Sequence, residues 1–93
     1  MPDVQLRFAS NVVPVPEDEA TELARRLEAW PDGRAAANEL RTHRRFADEA
    51  QKTLALSVIN AWMDEVEAST ISDGMKDVRY ELMRDLHLPP FDT

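Results

Sequence analysis

The chain opens on a period of two. Val4, Leu6 and Phe8 alternate with Gln5 and Arg7, and after Ser10-Asn11 comes the β-rich run Val12-Val13-Pro14-Val15. Such alternation marks a half-buried strand, and a short polar break between two such runs predicts a β-hairpin over residues 4–15. A two-residue turn at Ser10-Asn11 sets Phe8 opposite Val13 and Leu6 opposite Val15, which gathers all four on one apolar face. Pro14 has no N–H to give to a ladder, so its outer side is expected to be an open edge. Two strands alone are marginal in water, so the hairpin must lie on a helix or pair with another chain.

From Glu17 the period changes to 3.6. Ala20, Leu23, Ala24, Leu27 and Trp30 recur as one buried stripe, which predicts helix A over 17–30. Pro16 suits its start, and Glu17, Asp18 and Glu19 sit where the helix dipole favours anions. Pro31-Asp32-Gly33 ends it. A helical pattern then runs from Arg34 to about Ala68 with no Pro or Gly. Unbroken, it would be about 50 Å long at 1.5 Å per residue. A compact domain of this size is roughly 30–35 Å across. The long segment 34–68 therefore breaks near Thr42-His43-Arg44-Arg45, where the pattern is wholly polar, or a second chain supports it.

Leu54 to Val66 is apolar around most of a helix, with Thr53, Ser57, Asn60, Asp64 and Glu67 on one narrow polar stripe. A helix of that kind is central in its own core or buried at an interface. The last helix is predicted over 73–87, with Ser72 or Asp73 as N-cap, Gly74 as a slight weakness, and Met75, Val78, Leu82 and Leu86 turned inward. An extended tail over 88–93 is expected to pack Phe91 onto the body or a partner. The fold class that follows is mainly α with a short N-terminal β-hairpin. Three to four helices form a bundle-like single domain over 1–93, completed by dimerisation.

Composition sharpens that last point. Of 40 apolar residues in 93, 12 are Ala and only 18 are Val, Leu or Ile, and a chain this small already buries only about 60% of its unfolded surface. Exposure of the greasiest helix would be costly, so Leu54, Val58, Ile59, Trp62, Met63 and Val66, with Phe91, form the expected hydrophobic interaction set, and a homodimer or another protein the expected partner. The absence of Cys removes disulfides, Cys-ligated metals and thiol nucleophiles. No apolar run is long enough to cross a bilayer, and Met-Pro-Asp-Val-Gln lacks the features of a secretion signal, so no membrane association and a cytoplasmic location are expected.

The net charge of −7 is uneven. Residues 1–24 carry five acids against one Arg. Residues 25–45 carry six Arg against three acids, and 46–93 carry ten acids against four bases. Arg41, His43, Arg44 and Arg45 form the one basic cluster, fit to contact phosphate, nucleic acid or an acidic protein, or to pair with Glu39, Asp48 or Glu49. Catalytic candidates are few. His43 lies four residues after Glu39, half of a metal shell with nothing to complete it, and His87 sits at a helix end. Ser10, Ser57, Ser69 and Ser72 lack a neighbouring His. Asp48-Glu49 and Asp64-Glu65-Glu67 read as solvated faces. No cofactor, metal or catalysis is expected.

A short alternating strand with outward Gln5 and Arg7, followed by two helices, resembles the ribbon-helix-helix DNA-binding dimers over residues 3–46. The resemblance implies that Gln5 and Arg7 read bases, beside the Arg41–Arg45 cluster, and that the acidic C-terminal part acts as a toxin-neutralising tail. The second strand-like run, Asn11 to Val15, departs from that family's pattern. Three function classes follow. The first is a non-catalytic, self-associating interaction module with an accessory, regulatory or inhibitory role. The second is a dimeric nucleic-acid-binding regulator, and the third a small inhibitor or anti-defence protein whose acidic helices imitate a phosphate backbone.

Overall fold

A computed structural model describes residues 3–9 and 11–88, with only the backbone for Ala68. The order is β1 (Asp3–Arg7), β2 (Val12–Pro16), α1 (Glu17–Glu28), α2 (Arg34–His43), α3 (Glu49–Glu65), a 3-10 turn (Ala68–Thr70) and α4 (Asp73–Asp85). The expected tail contact of Phe91 lies outside the described residues. Four helices and one antiparallel hairpin enclose a single core within 36 × 29 × 24 Å. Among the described residues no helix is long and apolar enough to cross a membrane.

The hairpin faces are as the alternation predicts, but the register is not. Leu6 pairs with Val13 and Val4 with Val15, because the Phe8 N–H donates to the Asn11 carbonyl (2.8 Å) and the chain reverses one position early. Moving a turn by one position slides the pairing by two, which leaves every side chain on its original face. Val4, Leu6, Val13 and Val15 are buried, while Phe8 is only half-buried.

The β2 edge of this small sheet is closed by several devices. Pro14 and Pro16 occupy positions whose N–H would point away from β1, and the Val12 N–H is taken by its neighbour's Asn11 Oδ1 (2.9 Å). The first turn of α4 covers the same edge: a Cβ on Gly74 would lie 2.4 Å from the Pro14 carbonyl oxygen. The edge expected to be open at Pro14 is therefore covered, and the unpaired strand edge among the described residues is at Asp3 and Gln5 of β1.

α1 buries Ala20, Leu23, Ala24 and Leu27 as predicted, but stops at Glu28. Trp30 is lifted off the stripe into the following turn and is 36% exposed. That turn needs its glycine for space, since a Cβ on Gly33 would lie 1.8 Å from the Leu27 carbonyl oxygen. The long segment 34–68 breaks where its pattern turns polar. Arg44 takes a left-handed backbone (φ 57°), Phe46 plugs into the core, and Asp48 caps α3 by accepting from the Gln51 N–H (2.9 Å). Gln51 in return accepts from the Ala47 N–H (2.9 Å), a reciprocal cap that fixes where α3 starts. α3 ends three residues before the predicted limit, where Val66 turns extended. α4 is capped by Ser72, whose hydroxyl accepts from the Met75 N–H (3.2 Å). Ser72 is itself held to α1, since its N–H and hydroxyl both donate to the Glu19 carboxylate.

Gly74 gives a direct test of this packing. Ala in place of a helical Gly ordinarily stabilises by about 1 kcal/mol. Gly74→Ala is expected to destabilise instead, by about 1–3 kcal/mol, because backbone must move to admit the methyl. Chemical denaturation of the two proteins checks the sign.

Candidate functional site

The expected hydrophobic interaction set is mostly core. Val58 and Ile59 are enclosed, and Trp62 retains only 6% exposure. Leu54, Met63 and Val66 are half-buried against that core. α1, α2 and α4 surround α3, leaving Thr53, Ser57, Asp64 and Glu67 outward. The roof over Trp62 is a cation. The Arg26 guanidinium lies 5.0 Å from the ring centroid, donates to both oxygens of Glu65 (2.9 and 3.2 Å), and donates through Nε to Glu22 (2.7 Å). A planar guanidinium can stack on an indole and bind carboxylates at its edge at the same time. The chain thus buries the inward face of its most apolar helix against its own elements, with Leu54, Met63 and Val66 left half-buried.

The basic cluster divides. Arg41 turns to α1 and donates to both oxygens of Glu28 (2.9 and 3.1 Å), and Arg44 is exposed. His43 and Arg45 join two residues that are remote in sequence. Arg7, Phe8 and Ala9 from the hairpin, His43, Arg45 and Phe46 from the α2–α3 link, and Lys52 from α3 line a concavity of about 410 Å³. What assembles it is the Arg44 carbonyl, which accepts from the Arg7 N–H (2.8 Å) and so ties the end of β1 to the link. The left-handed turn at Arg44 points that carbonyl at the strand, and buried Phe46 anchors the link from below.

Within the concavity Arg45 donates to Glu39 (3.0 Å), and Lys52 is paired with Asp85 (3.0 Å), which also accepts from the Ala9 N–H (3.3 Å). Arg7 and His43 have no side-chain hydrogen bond or ion pair among the described residues. Glu39, half of the Glu39–His43 pair, is thus engaged by Arg45, and no group of three or more His, Asp or Glu able to hold a metal is found among the described residues. His87 lies just past α4 in a left-handed conformation (φ 57°). Gln5 is exposed opposite Pro14. The sequence set Arg7 beside the cluster only through the strand-helix-helix resemblance, and did not join Lys52 to it. The capping signal at Asp48 to Gln51 would have placed the start of α3, and with it Lys52 beside the link.

The network over Trp62 sets an acid limit on stability. The hydrogen bond from Arg25, joined by that from Arg26, holds the Glu22 carboxyl down at about 2, against an ordinary 4.5. Glu65 is lowered by Arg26, and Glu28 by Arg41. A depressed carboxyl contributes stability that is fully present above its unfolded value and disappears as pH falls through the folded value. Melting temperature is therefore expected to fall between about pH 4.5 and 2, and Glu22→Gln should flatten that slope while leaving its lower end in place. Comparison with family models, curated proteins and solved structures finds no match to this chain.

Proposed function

We propose that the protein is a non-catalytic interaction module that engages an acidic segment of a partner protein through the concavity between the hairpin and the α2–α3 link. One observation carries this reading. In a chain of net charge −7, the cationic side chains of Arg7, Arg45 and Lys52 meet with the imidazole of His43 around Phe8 and Phe46, and Arg7 and His43 have no ion-pair partner among the described residues. Glu39 offsets Arg45 and Asp85 offsets Lys52, so the guanidinium of Arg7 is the charge left for a ligand of opposite sign. The aromatic walls suit the apolar parts of a peptide, and the cationic side chains suit its carboxylates.

The charge around the patch favours a protein over nucleic acid. At a net charge of −7 the chain as a whole repels a long polyanion such as a duplex more than it repels a short acidic peptide. The role that fits is accessory or regulatory, and it needs no second copy of the chain.

Fluorescence anisotropy with a labelled polyglutamate peptide tests the proposal at low salt. Binding is expected for the native chain and should be lost in Arg7→Glu/Arg45→Glu, with melting little changed because both side chains are exposed. If a labelled duplex binds instead, with a log–log salt slope near the roughly −2.7 expected for three phosphate contacts, the site belongs to nucleic acid. Binding of neither probe overturns the reading. In light scattering the expected mass is that of one chain, 10.6 kDa.

A further inference from the structure

We infer that the outer edge of β1 takes an extended segment of the partner protein as a third strand, held by backbone hydrogen bonds and carrying an acid followed two residues later by a base. The inference rests on the reading above for the acidic character of the partner, and adds how its segment is held.

Which groups face outward along β1 follows from their neighbours. The Phe8 N–H donates across the hairpin to the Asn11 carbonyl, whereas the Arg7 N–H donates to the Arg44 carbonyl on the other side (both 2.8 Å). Strand N–H groups alternate in direction, so those of Gln5 and Asp3 point the same way as that of Arg7. Pro14 and Pro16 agree, since they stand opposite Gln5 and Asp3 and can give no ladder bond there. Among the described residues nothing bonds to the backbone of Gln5 or Asp3 on that side. The β2 edge is closed by prolines, Asn11 and the first turn of α4, and β1 has no such guard among the described residues. The Arg44 carbonyl already takes the place of a third-strand acceptor beside Arg7, so the position an added strand needs begins within the chain and continues past Gln5 and Asp3.

The exposed face of β1 sets the order of charges. Asp3, Gln5 and Arg7 share it, an acid, a neutral residue and a base, and all three are exposed. Antiparallel pairing is the more stable arrangement per residue. In it, the residue paired with Gln5 projects on this face within diagonal reach of Arg7, whose guanidinium has no ion-pair partner among the described residues. Two residues later comes the one paired with Asp3. An acid and then a base complement the edge, and an apolar residue between them falls on the face of buried Val4 and Leu6. The acidic end of the segment lies beside Arg44, where the concavity lined by Arg7, Phe8, His43 and Arg45 begins, so one segment can run from edge to concavity. Main-chain bonds then supply affinity and the alternate side chains supply selectivity.

The test is an NMR titration of the full chain with the peptide Ac-Glu-Val-Lys-Val-NH2. The amides of Asp3 and Gln5 should shift saturably in the millimolar range. The same peptide N-methylated at its Glu cannot donate to the Gln5 carbonyl and should bind at least about tenfold more weakly. Ac-Lys-Val-Glu-Val-NH2, with the charges exchanged, should bind a few-fold more weakly. Gln5→Pro removes the outward N–H and should also weaken the first peptide at least about tenfold. That variant is expected to fold, because β2 already carries prolines at outward-facing positions of the same kind. If it does not fold, the N-methylated peptide decides. Absence of saturable shifts, equal binding of the N-methylated peptide, undiminished binding by folded Gln5→Pro, or shifts confined to His43, Arg45 and Lys52 would each overturn the inference. Polyglutamate binding that is lost in Arg7→Glu/Arg45→Glu, alongside any of these results, leaves the concavity as the partner's site and removes the added strand alone.

Discussion

The chain's arrangement turns on one left-handed residue. At Arg44 the backbone takes φ 57°, and this single reversal replaces a helix of about 50 Å with two short ones. A non-glycine residue in this region is strained, so its neighbours must hold it there. They do so from both sides: the Arg44 N–H donates to the Leu40 carbonyl (3.0 Å), and the Arg44 carbonyl accepts from Arg7 (2.8 Å). Phe46 then enters the core and Asp48 opens the next helix. Folded back this way, α3 comes to lie among α1, α2 and α4. The same reversal that lets a small chain bury the inward face of its greasiest helix also brings His43 and Arg45 to the end of the hairpin.

A core with few large side chains is workable because its alanines sit between helices. Ala24, Ala36, Ala37 and Ala55 are all essentially inaccessible, and small side chains at helix contacts shorten the distance between axes, so little volume is left to fill. Gly33 and Gly74 extend the same tactic to backbone, since a Cβ at either would collide with a carbonyl oxygen. Gly74, a weakness by helix propensity, is what allows α4 to lie against β2 and cover its edge. Close approach compensates for the shortage of bulk.

Periodicity made most of the elements legible. The two strands, the N-terminal part of α1, the polar stripe of α3 and the Ser72 cap of α4 all follow from positions of apolar and capping residues, because those patterns record which face is buried. The errors have physical causes. The hairpin register was misread because a slip of two residues leaves the alternation unchanged, so the pattern carries no information about it. The enclosure of Trp62 was missed because its cover is Arg26, a charged residue that a hydrophobic pattern counts as solvent-facing. The meeting of Arg7 with His43, Arg45 and Lys52 depends on the dihedral angles of Arg44, and no spacing along the chain encodes them. Glu81 sat in an ordinary helical pattern, and its isolation arises only when the hairpin closes over α4.

Asp85 and Glu81 lie one turn apart on α4, and each holds the hairpin turn: Asp85 accepts from the Ala9 N–H, and Glu81 from Asn11 Nδ2. Asp85 is nearly enclosed, with 3% side-chain exposure, and also anchors Lys52. It therefore offsets a charge within the cationic concavity while fixing that concavity's rim. Glu81 has no cation of its own among the described residues. The contrast explains why the two acids differ in consequence although they repeat along one helix. The carboxylate beside Lys52 completes the internal structure of the chain, whereas that of Glu81 keeps one enclosed oxygen without a hydrogen-bond partner among the described residues.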